Sequence, residues 1–363
     1  MTTTDTRPET DAVQPDAIEQ FVGKALGDLA GTMSVLLASI GDRLGLFRAL
    51  SEAGPLTAEE VAERSGTHVR YTREWLAGMT AAGYLHHDPE QATFRLPAEH
   101  APVLAAEDGP VFFGGVWEEV TGALPQLEAV TAAFITGGGV PPDRYGPTFW
   151  RGLERFTATW FANQLLPVWI PAVPAVQALL ERGCDVADVG CGAGRALITL
   201  AQAYPDSRYV GYDALPANIV RAERHAAEAG VGDRVRFVAR DAASGLPDPA
   251  DVVLTFDVVH DAADPLGLLK AIRAALRPGG HYLCLDINAS ARIEDNVGPL
   301  GTLFYGFSVL YCLTSSLGLG GAGLGTCGFN EIVATELGRR AGFSSFRRVP
   351  LDNPFNILYE ATP

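Results

Sequence analysis

Three glycines and three acids in this chain have spacings that suit cofactor chemistry. In VADVGCGAGRALITLA, residues 186–201, Gly190, Gly192 and Gly194 follow a short apolar run, and a helix-forming run follows them. Glycines at such a point let the backbone turn tightly and approach a ligand with no Cβ in the way. A dinucleotide site prefers G-x-G-x-x-G, whereas here the spacing is G-x-G-x-G and Arg195 stands where the last glycine would be. Asp188 lies two residues before the first glycine, a place a carboxylate tolerates when no pyrophosphate has to be cradled. There it can orient the loop and a ligand ammonium, which is the pattern of S-adenosylmethionine binding. Asp213 follows Gly194 by nineteen residues and can accept from both ribose hydroxyls. Asp241 can accept from the adenine amine, with the Ala242 N–H facing the ring. Phe256 completes the expected cofactor set.

Those acids need a scaffold that brings them to one edge. From residue 180 onward, strands alternate with helices. DVADV (185–189), RYVGYD (208–213), VRFVARD (235–241), DVVLTFD (251–257) and HYLCLDI (281–287) read as strands, with helical runs after the first, second and fourth. Repeated strand–helix units imply a parallel, doubly wound sheet, in which ligands bind beyond the C-terminal strand ends. SFRRVPL and FNILYEA flank the turn DNP and read as a hairpin that adds an antiparallel strand. The expected fold class is therefore α/β: a seven-stranded Rossmann-like sheet, last strand antiparallel, behind a mainly helical N-terminal domain.

That N-terminal domain is expected over 16–105, after a disordered tail at 1–15. A long helical pattern spans 17–50, Thr57 and Glu60 form a capping box, a second helix follows in HVRYTREWLAGMTAAGYL, and HHDPEQATFRL reads as two short strands. Three helices and a small hairpin make a winged helix. Such a module suggests DNA binding, but Arg70 and Arg73 stand beside Glu74 with no basic cluster around them, so dimerisation is the expected role. Residues 106–165 are expected to be a helical linker that contributes to an acceptor pocket. GGG (137–139) and PP (141–142) mark a loop there, and Phe149, Leu153, Phe156 and Trp160 recur at helical spacing. Residues 166–363 are expected to form the catalytic domain, with an insertion at 290–330.

Composition narrows the partners. The chain has 363 residues, 43 acids against 27 Lys and Arg, and a formal net charge of −16. Such a balance repels nucleic acid phosphates and anionic membranes. Five scattered cysteines, with no C-x-x-C pair, fit reduced thiols in the cytoplasm better than disulfides or zinc. From Pro299 to Phe329 no residue is charged, a length that could span a bilayer. Its many glycines and acidic flanks favour a buried helix and glycine-rich loop.

His260 and Asp261 lie just past the fourth strand, and Asp286 ends the fifth. A histidine there can take a proton near neutrality, but it could equally cap the helix that starts near Asp264. Asp286 could orient His260, contact an acceptor, or be a satisfied polar group. His281 is the only later histidine and falls at the wrong strand end, so no metal site is expected.

Residues 165–363 resemble a class I methyltransferase, carried by VADVGCGAG, YD, RDA, TFDVVHD and LRPGGHYLCLD. With the winged helix, the chain is similar to small-molecule O-methyltransferases of plants and bacterial natural-product pathways. It is most similar to an actinobacterial winged-helix group that shares the segment EDNVGPLGTLFYGFSVLYCLTSSLGLGGAGLG. The resemblance implies S-adenosylmethionine as cofactor, S-adenosylhomocysteine as product, a homodimer through the N-terminal domain, and His260 as general base. The family's His-Asp pair usually continues with Trp and further acids, whereas this chain reads HDAADP. That puts the shell around His260 in doubt. The segment containing Tyr311 and Cys312 would approach the acceptor pocket, and with Trp150, Phe156 and Trp160 would make it apolar and aromatic. The expected function is cytoplasmic O-methylation of a small hydrophobic molecule. The alternatives are C- or N-methylation, a winged-helix regulator that senses the cofactor, and a fold member that has lost methyl transfer.

Overall fold

The computed structural model describes residues 14–363. Most of the expected tail lies outside the described residues, while Pro15 already opens a helix. The chain divides into two compact units, Met1–Ala106 and Glu107–Pro363.

In the first unit, α1 (Pro15–Arg43) is followed by α2 (Leu46–Ala53), α3 (Ala58–Ser65), α4 (Val69–Ala81), the strands β1 (His86–Asp88) and β2 (Thr93–Arg95), and a short α5 (Ala101–Leu104). The helical pattern over 17–50 is broken at Gly45, whose φ of 69° ends the continuous helix. The Thr57 capping box forms: Thr57 Oγ1 accepts from Glu60 N–H, and Glu60 accepts from the Thr57 N–H at 2.8 Å. Such a cap stabilises α3 by about 1 kcal/mol. Phe47, Leu50, Val61, Leu76 and Met79 are buried together, because their spacing places them on the inner faces of α2–α4.

In the second unit, α6 (Gly114–Ala123), α7 (Leu127–Thr136) and α8 (Pro147–Trp160) precede wider π-type turns at Phe161–Trp169 and α9 (Pro174–Arg182). Then β3 (Asp185–Val189), α10 (Arg195–Ala203), β4 (Arg208–Asp213), α11 (Pro216–Glu228), β5 (Val235–Ala239), β6 (Ala250–Phe256), α12 (Pro265–Ala275) and β7 (Leu276–Ile287) alternate. After β7 come α13 (Gly298–Phe307), π-type turns at Ser308–Cys312 and α14 (Leu313–Gly318). A glycine-rich loop, α15 (Glu331–Ala341), β8 (Ser345–Val349) and β9 (Asn356–Thr362) complete it.

The sheet runs β5-β4-β3-β6-β7-β9-β8, with β9 antiparallel to both neighbours. Val186, Val252 and Leu254 face one apolar layer with α9–α11, while Ala187, Val189 and Val253 face the other with α12 and α15. Burial on both faces is why these strands read as apolar runs.

Two helical stretches, Pro15–Arg43 and Gly298–Gly318, are long and apolar enough to cross a membrane by length and composition. The second has 44% of its most apolar window buried inside the fold, and the uncharged segment is a helical run followed by a glycine-rich loop.

Candidate active site

The chemistry-bearing residues stand at the C-terminal ends of β3–β7. Directly after β3 the chain turns at Gly190, Gly192 and Gly194, with φ of 73°, 53° and 76°. Gly190 N–H and Cys191 N–H donate to the Tyr212 carbonyl at 2.8 and 3.0 Å. A Cβ at Gly190 would come within 2.5 Å of Val258, whereas at Gly192 nothing lies within 4 Å. The loop is thus tight on its inner side and open where a ligand needs room.

Asp213 fastens this loop. Its Oδ2 accepts from Gly192 N–H at 2.9 Å, and its Oδ1 accepts from Leu215 N–H at 2.8 Å and Asn218 Nδ2 at 3.0 Å. A carboxylate has about four acceptor positions, so one remains for a ribose hydroxyl without rearrangement. Burial raises its pKa against those hydrogen bonds. Asp188 is buried. Burial, with the Asp213 charge adding, pushes it well above the carboxylate range. Asp241 Oδ1 accepts from Ala243 N–H at 3.0 Å beside the buried Ala242. The Phe256 ring stacks on Trp169 (5.8 Å, 29°) and meets Phe161 at 5.0 Å.

His260 is 3% exposed. Its Nδ1 lies 2.7 Å from Asp286 Oδ1, and its Nε2 lies 3.3 Å from Cys312 Sγ. A carboxylate on Nδ1 selects the tautomer that leaves Nε2 as an acceptor. Burial works to lower the His260 pKa, but the Asp286 carboxylate, aided by Cys312, outweighs it and holds the ring well above the ordinary histidine value. The cap of α12 is Asp264, which accepts from Gly267 N–H at 2.8 Å, so His260 does not cap that helix. Asp261 is raised to about 7 by burial and by Asp286 and Asp213, with His260 opposing. Among the described residues no group of His, Cys, Asp and Glu is arranged to hold a metal ion. His281 pairs with Glu360 at 2.8 Å instead.

The aromatic residues fall into two groups. Tyr311 meets Trp150 edge-on (5.8 Å, 90°), Phe149 at 4.7 Å and Tyr145 at 5.1 Å. Phe156 pairs with Trp160 at 4.4 Å, and Trp160 continues to Phe355 at 6.2 Å. The first group adjoins Cys312 in the chain.

Three acids that the sequence did not single out belong to this region. Glu154, on α8 with Trp150, Phe156 and Trp160, accepts from Arg195 Nη2 at 2.7 Å and lies 3.5 Å from His225 Nε2. It ties the helix of the aromatic residues to the first residue of α10. Asp257 has a φ of 56°, and among the described residues only Ala92 shares a positive φ without being glycine. Its Oδ1 accepts from Asn356 Nδ2 at 3.0 Å. Burial, with Asp286 adding and His260 opposing, raises it to about 8. Glu119 is 5% exposed with no partner on Oε2, and burial, aided by the Asp257 charge, raises it to about 8. A positive φ marks Asp257 only in the structure. Glu119 reads in VWEEV like its neighbour Glu118, which binds Arg151 and Arg155.

Comparison with known proteins agrees with this architecture. Residues 32–106 match a model described as the Rv2258c-like winged HTH domain, and residues 187–282 match a methyltransferase domain. The aclacinomycin 10-hydroxylase RdmB of Streptomyces purpurascens is 30% identical over 276 residues, covering 72% of this chain and 71% of that protein. The ubiquinone biosynthesis O-methyltransferase of Cereibacter sphaeroides is 36% identical over 110 residues, and the chain spans 44% of its length. The mitomycin 7-O-methyltransferase MmcR shares the fold at a TM-score of 0.68 with 20% identity, over 96% of this chain and 100% of that one. Human N-acetylserotonin methyltransferase in complex with SAM superposes at 0.68 with 18% identity, over 97% and 99%. With a relative matched over most of both lengths, a winged-helix domain and a methyltransferase domain in that order, the chain belongs to the class I S-adenosylmethionine-dependent methyltransferase family, in its winged-helix branch.

Proposed function

We propose that the protein methylates an oxygen of a small, hydrophobic, aromatic molecule, using S-adenosylmethionine and His260 as general base. The observation that carries this is the buried His260–Asp286 pair, 2.7 Å apart, with Nε2 directed away from the carboxylate. A phenol-like hydroxyl has a pKa near about 10, so removing its proton lowers the barrier. His260 Nε2 takes that proton, and Asp286 stabilises the imidazolium that forms. Cys312 Sγ, now on Nε2, yields its place to the acceptor hydroxyl. The acceptor oxygen so freed would take an electrophilic methyl group, with S-adenosylhomocysteine as the product. When bound, S-adenosylmethionine supplies that electrophilic methyl group. Gly190, Gly192, Gly194 and Asp188 would hold its amino-acid end, Asp213 its ribose, and Asp241 with Ala242 its adenine, with Phe256 beside them. Asp261 lies within the fields of both Asp213 and Asp286. Trp150, Phe156, Trp160, Tyr311 and Cys312 would line the acceptor pocket.

A second reading has one specific support. The relative matched over 72% of the chain is named a hydroxylase, so the cofactor could be held without donating its methyl group. Mass spectrometry after incubation with methyl-labelled cofactor separates the two, since only methyl transfer yields S-adenosylhomocysteine and a labelled acceptor.

The winged helix serves a homodimer in this reading. Arg70 and Arg73 on α4 are paired with Glu74 and Glu59, which weakens any appeal to nucleic acid, and an apolar stripe along α1 is exposed. A cytoplasmic location and no membrane partner are part of the same reading, supported by five free cysteines.

The first test is calorimetric titration of S-adenosylhomocysteine into the wild type and Asp213→Ala. Saturable binding that collapses in the variant supports the cofactor assignment. No binding to the wild type would overturn it.

A further inference from the structure

Glu119 and Asp257 take no part in the steps above, although they are buried beside the residues that do. Their placement is enforced by the fold. Helices α6 and α8 approach until a Cβ on Gly152 would lie 2.2 Å from the Glu119 backbone nitrogen, and Glu119 is buried at this close crossing. Asp257 is held in the left-handed region directly after β6 by its N–H bond to the Leu285 carbonyl at 2.9 Å and by Asn356. Non-glycine residues held in that region concentrate at ligand sites.

Three of the unsatisfied atoms near these acids are oxygens that can accept. Glu119 Oε2, Asp286 Oδ2 and Asn356 Oδ1 are each buried with no hydrogen-bond partner. None of the three has a donor among the described residues. Asn356 on β9 donates to Asp257, and Asp257 shares the electrostatic field of Glu119 on α6, Asp286 at the end of β7, and His260 and Asp261 on its own loop. His260 is the single basic group in this set, and Asp286 already holds it. A hydroxyl offers one donor and a neutral aromatic ring none. A protonated amine offers two or three donors and the charge that buried carboxyls lack.

We infer that Glu119 and Asp257, with the free oxygens of Asp286 and Asn356, form a subsite for a protonated amine on the methyl acceptor, so that the substrate is an aromatic molecule bearing a basic nitrogen. This rests on the proposal that the site holds a methyl acceptor beside S-adenosylmethionine. The amine would be recognised at the Glu119–Asp257 end, while the hydroxyl to be methylated faces His260 Nε2.

The test uses the full-length protein saturated with S-adenosylhomocysteine, titrated with naphthylethylamine and with its neutral counterpart naphthylethanol. The amine is expected to bind about tenfold or more tighter than the alcohol, as a charge-assisted contact allows. Glu119→Gln and Asp257→Asn should each remove most of that preference while S-adenosylhomocysteine still binds. Equal affinity for the two probes, or a preference unchanged in both variants, would overturn the inference. If Glu119→Gln weakens S-adenosylmethionine but not the uncharged-sulfur product, the acids serve the sulfonium, and the inference fails in that way too. Loss of S-adenosylhomocysteine binding by the wild type would instead defeat the cofactor assignment beneath it.

Discussion

His260 accepts a proton only when its ring is neutral, so its surroundings set the pH at which it works. Its folded pKa is raised, which makes the protonated ring the more stable form up to and above the ordinary histidine range. The stability gained from the His260–Asp286 pair is therefore complete below about pH 6.5, the unperturbed histidine value, and is lost as pH rises through the folded pKa. Catalysis runs the other way. The turnover rate should rise with pH, along a limb lying above the ordinary histidine value, and Asp286→Asn should move that limb to lower pH while lowering the maximum rate. A pH–rate profile of both proteins decides this, and a limb unmoved in Asp286→Asn would mean that another group supplies the base. Asp213 carries two duties at once. Because it already binds Gly192, Leu215 and Asn218, truncating it loosens the glycine loop as well as removing a ribose contact, so the loss of binding it causes exceeds that of one hydrogen bond.

At the scale of elements, the helix pair α6–α8 shows how sequence and packing divide the information. Strands β3 and β4 lie over 185–189 and 208–213, as read from the sequence, since a strand buried on both faces leaves an apolar run ended by turn residues. The placement of Asp188, Asp213 and Asp241 at or near strand ends was legible for the same reason, since they can be counted from the glycines. Glu119 was not, because what separates it from Glu118 is that Arg151 and Arg155 of α8 reach Glu118 while Glu119 Oε2 is left without a partner, a property of two helices rather than one. The start of β7 at Leu276, ahead of the expected 281, was hidden by the RPGG run within the strand. Gly152→Ala tests the helix contact. Alanine gains up to about 1 kcal/mol of helix propensity, but the new Cβ meets backbone that cannot rotate away, and overpacking typically costs about 1–3 kcal/mol. The variant should melt several degrees lower in calorimetry. An unchanged or higher melting point would mean that α6 and α8 have room to part.

At the scale of the whole molecule, α1 is the element left unfinished. Ile18, Phe21, Val22, Leu26, Leu29 and Met33 recur every three or four residues along one stripe, with Phe21 69% and Leu26 66% exposed. A monomer rarely leaves a continuous apolar stripe of that length in water. Phe21→Glu combined with Leu29→Glu should convert a dimer into a monomer in light scattering coupled to size-exclusion chromatography, while α2–α4 keep their own core. A dimer that survives both changes would place the interface elsewhere.

The contacts between the loop after α7 and the helical run that begins at α13 bear on how such proteins diversify. Val140 N–H donates to the Thr314 carbonyl at 2.9 Å, Tyr145 Oη donates to the Leu310 carbonyl at 2.5 Å, and a Cβ on Gly139 would fall 2.0 Å from the Thr314 oxygen. The loop 137–146 and the helical run 298–318 therefore form one interlocked part, although more than 150 residues of chain separate them. A graft of 298–318 from a relative, made to change which acceptor is taken, would arrive without its mating surface. The two segments would have to be exchanged together, and they are expected to vary together as the family moves from one acceptor to another.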